Sequence, residues 1–557
     1  MNFGGSMPAN LVETTPSAYA YPLLIKQLLL TPLATTPDQE IVYRDRLRYR
    51  YRDLRGRISR LANALSSLGV GPGDTVAMMD WDSHRYLETY FAVPMMGAVL
   101  MTTNVRLAPE QILYCLDHAR VDALLIHADF LPVLEAIRDR LATIKRFILI
   151  ADGAPIAESP ASFAGEYEAL LAKASPTYEF PDFDENTRAT TFYTTGTTGL
   201  PKAVYFSHRQ LVLHTLAVGV TVGSHPGGQS FHRGDVYMPL TPMFHVHAWG
   251  FPYVATLYGV KQVYPGRYQP DLIVKLFVKE CVTYSHCVPA ILQMVLSCPE
   301  AASADLHGWK VVVGGSALPK GLARAARSRG IDIWCGYGMS ETCPILTSSQ
   351  VRPEEQGVLS DEEELAVRCR TGLPIALVEI KIVDAEMNEL PADGKSVGEL
   401  VVRAPWLTQG YLHDPASSET LWRGGYLHTQ DVATRRADGY LQITDRIKDV
   451  IKTGGEWVSS LELESLISQH PAVAEVAVIG VKDAKWGERP LALVVPRPGH
   501  EAELTAEALQ HHLMVHCQTG HLPKFAIPER FLFVAAIEKT SVGKTDKKLL
   551  RSKYGDA

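Results

Sequence analysis

The stretch TFYTTGTTGLPKAVYFSHRQ, Thr191 to Gln210, decides the reading of the chain. Its centre, Tyr193-Thr194-Thr195-Gly196-Thr197-Thr198-Gly199, is too small and polar for a core and holds no carboxylate. Lys202 follows it directly after Pro201. Apolar residues on both sides make the run a loop between two strands. Backbone N–H groups around small residues can cup an anion, hydroxyls add donors, and Lys202 adds charge. Phosphate is the obvious guest. The spacing is not that of a GxxxxGK[ST] loop, and composition alone leaves open an ordinary Ser/Thr/Gly-rich surface loop.

Outward from this loop, helical and strand patterns alternate. YRDLRGRISRLANALSSLGV repeats apolar positions at helical spacing and stops at Gly69-Val70-Gly71-Pro72. DTVAMMD, DALLIHA and RFILIA read as buried strands, and SHRYLETYFAVPMMGAVL reads as a helix. KQVYPG, DLIVKLFVKECV and GWKVVVGGSALP continue the alternation after Ser207. This pattern predicts an α/β fold with parallel-rich sheets covered by helices. From about 390 to 440 glycine and proline thicken and the pattern turns to β-hairpins, a β-rich subdomain. From about 446 a small α+β unit follows. We place the boundary at Asp445-Arg446, which gives a large part over 1–445 and a small one over 446–557.

The 557 residues exceed what one core usually organises. Hydrophobic content of 46% and charged content of 21% are ordinary globular values. A formal net charge of -7 argues against a nucleic-acid partner. The eight cysteines form no CxxC pair, which suits a reducing compartment and gives no zinc signature. The N-terminus lacks a leader pattern, and no apolar run approaches a bilayer span. The expectation is a cytoplasmic protein without a transmembrane segment.

Three further stretches carry chemistry. CGYGMSETCPIL, Cys335 to Leu346, sets Gly336 and Gly338 for close backbone approach and Glu341 among hydroxyls, a donor set that suits Mg²⁺. DRIKDVIKTGGEW, Asp445 to Trp457, gathers Arg446, Lys448 and Lys452 beside Gly454-Gly455. KTSVGKTDKKLL, Lys539 to Leu550, can hold Lys544 at a loop tip. Singly, each reads equally as a turn, a basic helix start or a charged tail.

Together and in this order, with HTQDVA at His428 to Ala433, they resemble the adenylate-forming superfamily of acyl-CoA synthetases, peptide-synthetase adenylation domains and luciferases. The resemblance covers about 24 to 553. PMFHVHAWGFPYVATLYGVKQVYPGRY, VVVGGSALP and IKTGGEWVSSLELE further resemble bacterial medium- and long-chain fatty acyl-CoA ligases. It implies ATP, Mg²⁺ and CoA, a carboxylic acid substrate and a homodimer. It implies that Thr194 to Thr198 and Lys202 hold phosphates, and that Thr194 and Glu341 hold the metal. Val246, Gly315, Gly336, Tyr337 and Ser340 would meet the nucleotide, with Asp431 and Arg446 at the ribose. Lys544 would bridge the acid and the α-phosphate. The small domain would then swing about Lys448, withdrawing Lys544 and bringing in Gly454 and Gly455 for CoA, with Lys452 and Trp457 completing the nucleotide site.

The acyl pocket is expected around His245, Trp249, Gly250, Val288, Gly314, Gly338 and Met339. More broadly it takes in Trp249 to Val254, Cys287 to Leu292, Gly314 to Leu318 and Gly338 to Leu346. Trp249 reads equally as core, and His245-x-His247 is a weak metal signal. No lysine or arginine stands out to bind a second carboxylate, so a medium-chain fatty acid is expected. An aryl or arylalkyl acid, or loading of a carrier protein, is the alternative. Two departures stand out. Ala203 replaces the usual glycine after Pro-Lys, with strain expected if that position needs positive φ. Gln430 replaces glycine before Asp431, with little effect expected.

Overall fold

The computed structural model describes residues 10, 12–153, 162–194, 200–454, 456–518, 522–541 and 543–555. Two large sheets dominate it. The seven-stranded sheet runs in the spatial order Gly165–Glu166, Arg146–Ile150, Ala123–His127, Thr75–Met79, Val99–Thr102, Arg188–Tyr193, Ala203–Ser207. All neighbours are parallel except the last two, which flank the threonine loop as an antiparallel pair. The strand Thr75–Met79 is buried throughout, as its unbroken apolar run requires between two helical layers. The helix Tyr51–Ser67 covers it with Leu54, Ile58, Leu61 and Leu65.

SHRYLETYFAVPMMGAVL is not one helix. The helix ends at Met95, Gly97 takes φ 82°, and Val99–Thr102 is a strand. Apolar runs of this length do not distinguish helix from buried strand by period alone, and Gly97 supplies the left-handed stop.

The nine-stranded sheet carries Lys261–Tyr264, Val236–Leu240, Tyr284–Cys287, Lys310–Val313 and Asp332–Gly338 side by side and parallel. Their C-terminal ends therefore share one edge, where open α/β sheets place their ligands. A four-stranded antiparallel sheet, Glu379–Val383 to Leu441–Arg446, flanks that edge. The final sheet pairs Glu456–Val458, Ile451–Thr453, Gly487–Pro496, Val473–Asp483 and Arg530–Phe533 under the helices Ser460–Ile467, Ala506–Gln518 and Lys547–Tyr554.

A buried polar cluster fastens the end of the four-stranded sheet to this last unit. Asp445 Oδ2 accepts from the Ser460 backbone at 2.7 Å and from its hydroxyl at 2.5 Å. Lys547 reaches Ser460 Oγ at 2.5 Å and Glu464 at 2.8 Å. Among the described residues, no helix is long and apolar enough to cross a membrane.

Candidate active site

The C-terminal edge of the nine-stranded sheet ends in glycine. A Cβ built on Gly314 would stand 2.6 Å from the Gly336 carbonyl oxygen. Gly315 takes φ 78°, and a Cβ there would lie 3.4 Å from Lys544 Cε. Only glycine lets two strand ends and a lysine meet so closely. A cavity of about 30 Å³ opens here, lined by His245, Val246, Trp249, Gly314, Gly315, Gly336, Tyr337, Gly338, Met339, Ser340 and Lys544, with Val312, Pro344 and Ile345.

Lys544 enters from the small C-terminal unit on a tight turn. Gly543 takes φ 82°, Gly543 N–H donates to Thr540 O at 2.9 Å, and Thr540 N–H donates to Lys544 O at 2.7 Å. Asn104 Nδ2 donates to Ser541 Oγ at 3.0 Å, and Arg106 Nη1 to Ser541 O at 3.3 Å, docking the turn on the large domain. Removal from water and then the nearby Arg446 guanidinium, opposed by Asp431 and Glu341, bring the Lys544 ammonium down to about 8.

Two carboxylates flank the lysine. Asp431 is buried, with Oδ2 accepting from the Tyr337 phenol at 2.6 Å and Oδ1 3.5 Å from Arg446 Nε. Glu341 is buried and accepts from the Tyr411 phenol at 2.8 Å. Burial raises both carboxyl pKa values. Lys202 lies over the Tyr411 ring at 4.7 Å and donates to Ser417 Oγ at 2.8 Å, with Asp414 at 3.9 Å. Thr194 N–H donates to Lys202 O at 2.8 Å, closing the base of the threonine loop. Thr195, Gly196, Thr197, Thr198 and Gly455 lie outside the described residues.

The segment after Phe244 has an unusual backbone. Val246, His247, Ala248, Trp249 and Gly250 take φ of 48°, 53°, 48°, 59° and 76° in succession, a left-handed turn. Each non-glycine residue there costs about 1–2 kcal/mol, so the surroundings must impose the conformation. They do: Val246 to Trp249 are all buried. Trp249 packs 5.1 Å from the His286 ring and edges against Gly314, so it is core and cavity wall at once. His247 packs edge-on to Phe192 and Tyr90, and burial lowers its pKa to about 3. Among the described residues no group of three or more His, Cys, Asp or Glu could hold a metal.

Some of the expected residues lie away from this cavity, and two expectations about the backbone come out differently. Gly250 does not line the cavity; a Cβ there would meet the His214 ring at 2.8 Å. Val288 packs close to Gly315 and Gly543, where built Cβ atoms would meet it at 3.1 and 3.3 Å, and it is not among the cavity's lining residues. Lys448 keeps much of its surface in solvent near Arg446, and partial loss of hydration together with that guanidinium lowers its pKa. Lys452 and Trp457, expected at the nucleotide only after the small domain swings, pair here on the exposed hairpin that Gly454 turns, away from the lined cavity. Ala203 is an ordinary strand residue paired with Tyr193, so the expected strain is absent. Gln430 carries strain instead, at φ 59°.

Tyr411, Asn104 and Arg106 were not anticipated. GYLHDP, Gly410 to Pro415, offered a turn signal, but the Tyr411–Glu341 bond joins residues 70 apart in sequence.

A family model described as AMP-binding enzyme matches residues 31–412, and that of the AMP-binding enzyme C-terminal domain matches 462–544. A long-chain-fatty-acid–CoA ligase of Thermus thermophilus is 41% identical over 507 residues, covering 90% of each chain. A medium-chain-fatty-acid–CoA ligase of Ectopseudomonas oleovorans is 36% identical over 513 residues, 91% of this chain and 90% of its own. The crystal structure of the anthranilate CoA ligase AuaEII in complex with anthranoyl-AMP superposes with a TM-score of 0.82 at 26% identity, covering 96% of this chain and 98% of that one. This chain belongs to the AMP-binding enzyme family, within the adenylate-forming superfamily of acyl-CoA synthetases.

Proposed function

We propose that this protein is an AMP-forming acid–CoA ligase for medium-chain fatty acids. The observation that carries the reading is Lys544, held against Gly315 within the influence of Asp431, Arg446 and Glu341, at the mouth of a largely apolar cavity. In the first step a carboxylate oxygen attacks the α-phosphorus of ATP and the bond to pyrophosphate breaks. In the second the CoA thiolate attacks the acyl carbon and the bond to AMP breaks. Both steps concentrate negative charge, so positioned cations and donors supply most of the stabilisation.

Lys544 bridges the acid and the α-phosphate in the first step. Asp431, braced by Tyr337, accepts from the ribose hydroxyls, with Arg446 beside it. Ser340 meets the α-phosphate, Gly315, Gly336 and Tyr337 line the adenine site, and Lys202 leaves Ser417 for the phosphates. The donor set fits Mg²⁺, which is held by one or two carboxylates plus phosphates and water. Glu341 and Thr194 would hold it, and it would neutralise phosphate charge. The small unit then swings about Lys448, exchanging Lys544 for the face that carries Lys452, Gly454 and Trp457.

The acid is read from the walls. Trp249, Val312, Pro344 and Ile345 are apolar, and among the described residues no lysine or arginine besides Lys544 lines the cavity. A pyrophosphate-release screen over C2–C16 fatty acids and aryl acids, with and without CoA, tests this. Turnover peaking at C6–C12 with CoA-dependent thioester is expected. A peak on aryl acids would replace the substrate class, and release without thioester would replace CoA with a carrier.

A further inference from the structure

Lys544 is held from two sides. Ser541, three residues before it, is bonded to Asn104 and Arg106 on the large domain. Lys547, three residues after it, is the first residue of the helix Lys547–Tyr554 and is buried, at 9% exposure. A cation at a helix N-terminus faces the positive end of the helix dipole, and burial costs it hydration as well. Its partners must outweigh both terms.

Those partners form a chain. Lys547 Nζ donates to Ser460 Oγ at 2.5 Å and pairs with Glu464 at 2.8 Å. The Ser460 hydroxyl gives its own hydrogen to Asp445 Oδ2 at 2.5 Å, and the Ser460 backbone N–H donates to the same oxygen at 2.7 Å. Ammonium, hydroxyl and carboxylate thus follow one another, each donor meeting an acceptor. Asp445 is 2% exposed and Ser460 is wholly buried. Asp445 stands opposite Val432 in the strand pair where its neighbour Arg446 stands opposite Asp431. The chain therefore ties the backbone that presents Lys544 to the strands that present Asp431 and Arg446.

These groups do not travel together. Ser460, Glu464 and Lys547 belong to the small unit, whereas Asp445 precedes Lys448, about which that unit is proposed to swing. A swing parts Asp445 from both Ser460 donors. It leaves Lys547 with Glu464, whose other donor, Val478 N–H at 2.8 Å, also belongs to the small unit. A buried carboxylate that loses its donors bears the desolvation cost, so the chain favours the docked orientation. The other end of the helix Ser460–Ile467 is docked as well. A Cβ built on Gly321, in the large-domain helix Lys320–Arg327, would stand 2.6 Å from the Ser468 carbonyl oxygen. One helix of the small unit is thus seated on the large domain at both ends.

We infer that Asp445 and Lys547 are positioning residues for acyl-adenylate formation: acting through Ser460, they hold the Lys544 turn against the Asp431–Arg446 strands and part when the small unit swings. This rests on the acid–CoA ligase reading above. The test measures single-turnover pyrophosphate release from ATP and octanoate, or whichever acid of the screen above the wild type uses best. It sets that rate beside thioester formation from the matching acyl-AMP and CoA. Asp445→Asn and Lys547→Met should each slow the first by about 10–100-fold, the range expected when a catalytic group is displaced by a remote change, and leave the second at or above its original rate. Lys547→Arg, which keeps a cation in reach of Ser460 and Glu464, should retain most of the wild-type rate. Gly321→Ala, outside the chain and without a change of charge, should show the same one-sided loss. Bridging Asn104→Cys to Ser541→Cys should restore adenylate formation to Asp445→Asn, because the bridge replaces the lost hold; a protein that had only lost its fold would gain nothing. Equal loss in both half-reactions, or no loss in Asp445→Asn and Lys547→Met, would overturn the inference and leave the ligase reading intact. Pyrophosphate release by the wild type from none of the screened acids would overturn both.

Discussion

The small C-terminal unit turns two lysine-bearing loops toward different surroundings. Lys544 and Lys452 both sit beside a left-handed glycine, Gly543 at φ 82° and Gly454 at φ 61°. The first loop is bonded to the large domain through Asn104 and Arg106. The second is bonded within its own unit, Lys452 N–H to Glu488 at 2.9 Å and Gly454 N–H to Trp486 O at 2.8 Å, and its Trp457 is 51% exposed. One face is engaged while an equally elaborate face is idle. An idle face with an exposed tryptophan, a lysine and a glycine pair makes sense for a unit that works in two orientations.

Breaking the engaged face should have the largest effect. Lys544→Ala is expected to slow acyl-adenylate formation by about 10²–10³-fold, the usual loss for one positioned charge donor. Thioester formation from supplied acyl-AMP should scarcely change, and single-turnover assays of each half separate the two. The same lysine sets a pH limit. In the proposed role its ammonium is the working form, and its pKa is lowered to about 8. As pH rises through 8 the charge is lost, so kcat/KM for ATP should fall above that value. Lys544→Arg should remove the alkaline limb, whatever its rate.

Breaking the idle face should have the opposite signature. Trp457→Ala with Lys452→Ala is expected to lower the thioester step about tenfold and leave adenylate formation near its original rate. Equal loss in both halves would mean that the hairpin only supports the fold.

Much of this contrast was legible in the sequence, and the reasons differ by element. The buried strands Thr75–Met79 and Ala123–His127 are unbroken apolar runs between turn signals, so their place in a parallel sheet followed from composition. The loop that presents Lys544 followed from Ser-Val-Gly-Lys. The left-handed turn Val246 to Gly250 did not, because His247 and Ala248 carry no sign of positive φ; tertiary packing imposes it. Nor did the brace of Tyr411 on Glu341, which exists only once distant segments meet.

Smaller effects sharpen the comparison within the large domain. Trp249→Ala should shift chain-length preference several-fold, more than it shifts the KM for ATP, because the indole edges the wall at Gly314. An unchanged acid profile would leave Trp249 a core residue alone. Gln430→Gly relieves a left-handed residue and should raise stability by about 0.5–1 kcal/mol, once the entropy of glycine is set against the relief. Thermal unfolding of the two proteins reads the difference.

The most direct measurement locks the docked orientation. Asn104→Cys with Ser541→Cys places two thiols at a contact of 3.0 Å in the native pair, to be joined by a short bridging reagent. The account predicts that the bridged enzyme still forms acyl-AMP and releases pyrophosphate, makes no thioester, and recovers it when a cleavable bridge is cut. Thioester formation at the unbridged rate with the bridge intact would contradict the two-faced reading.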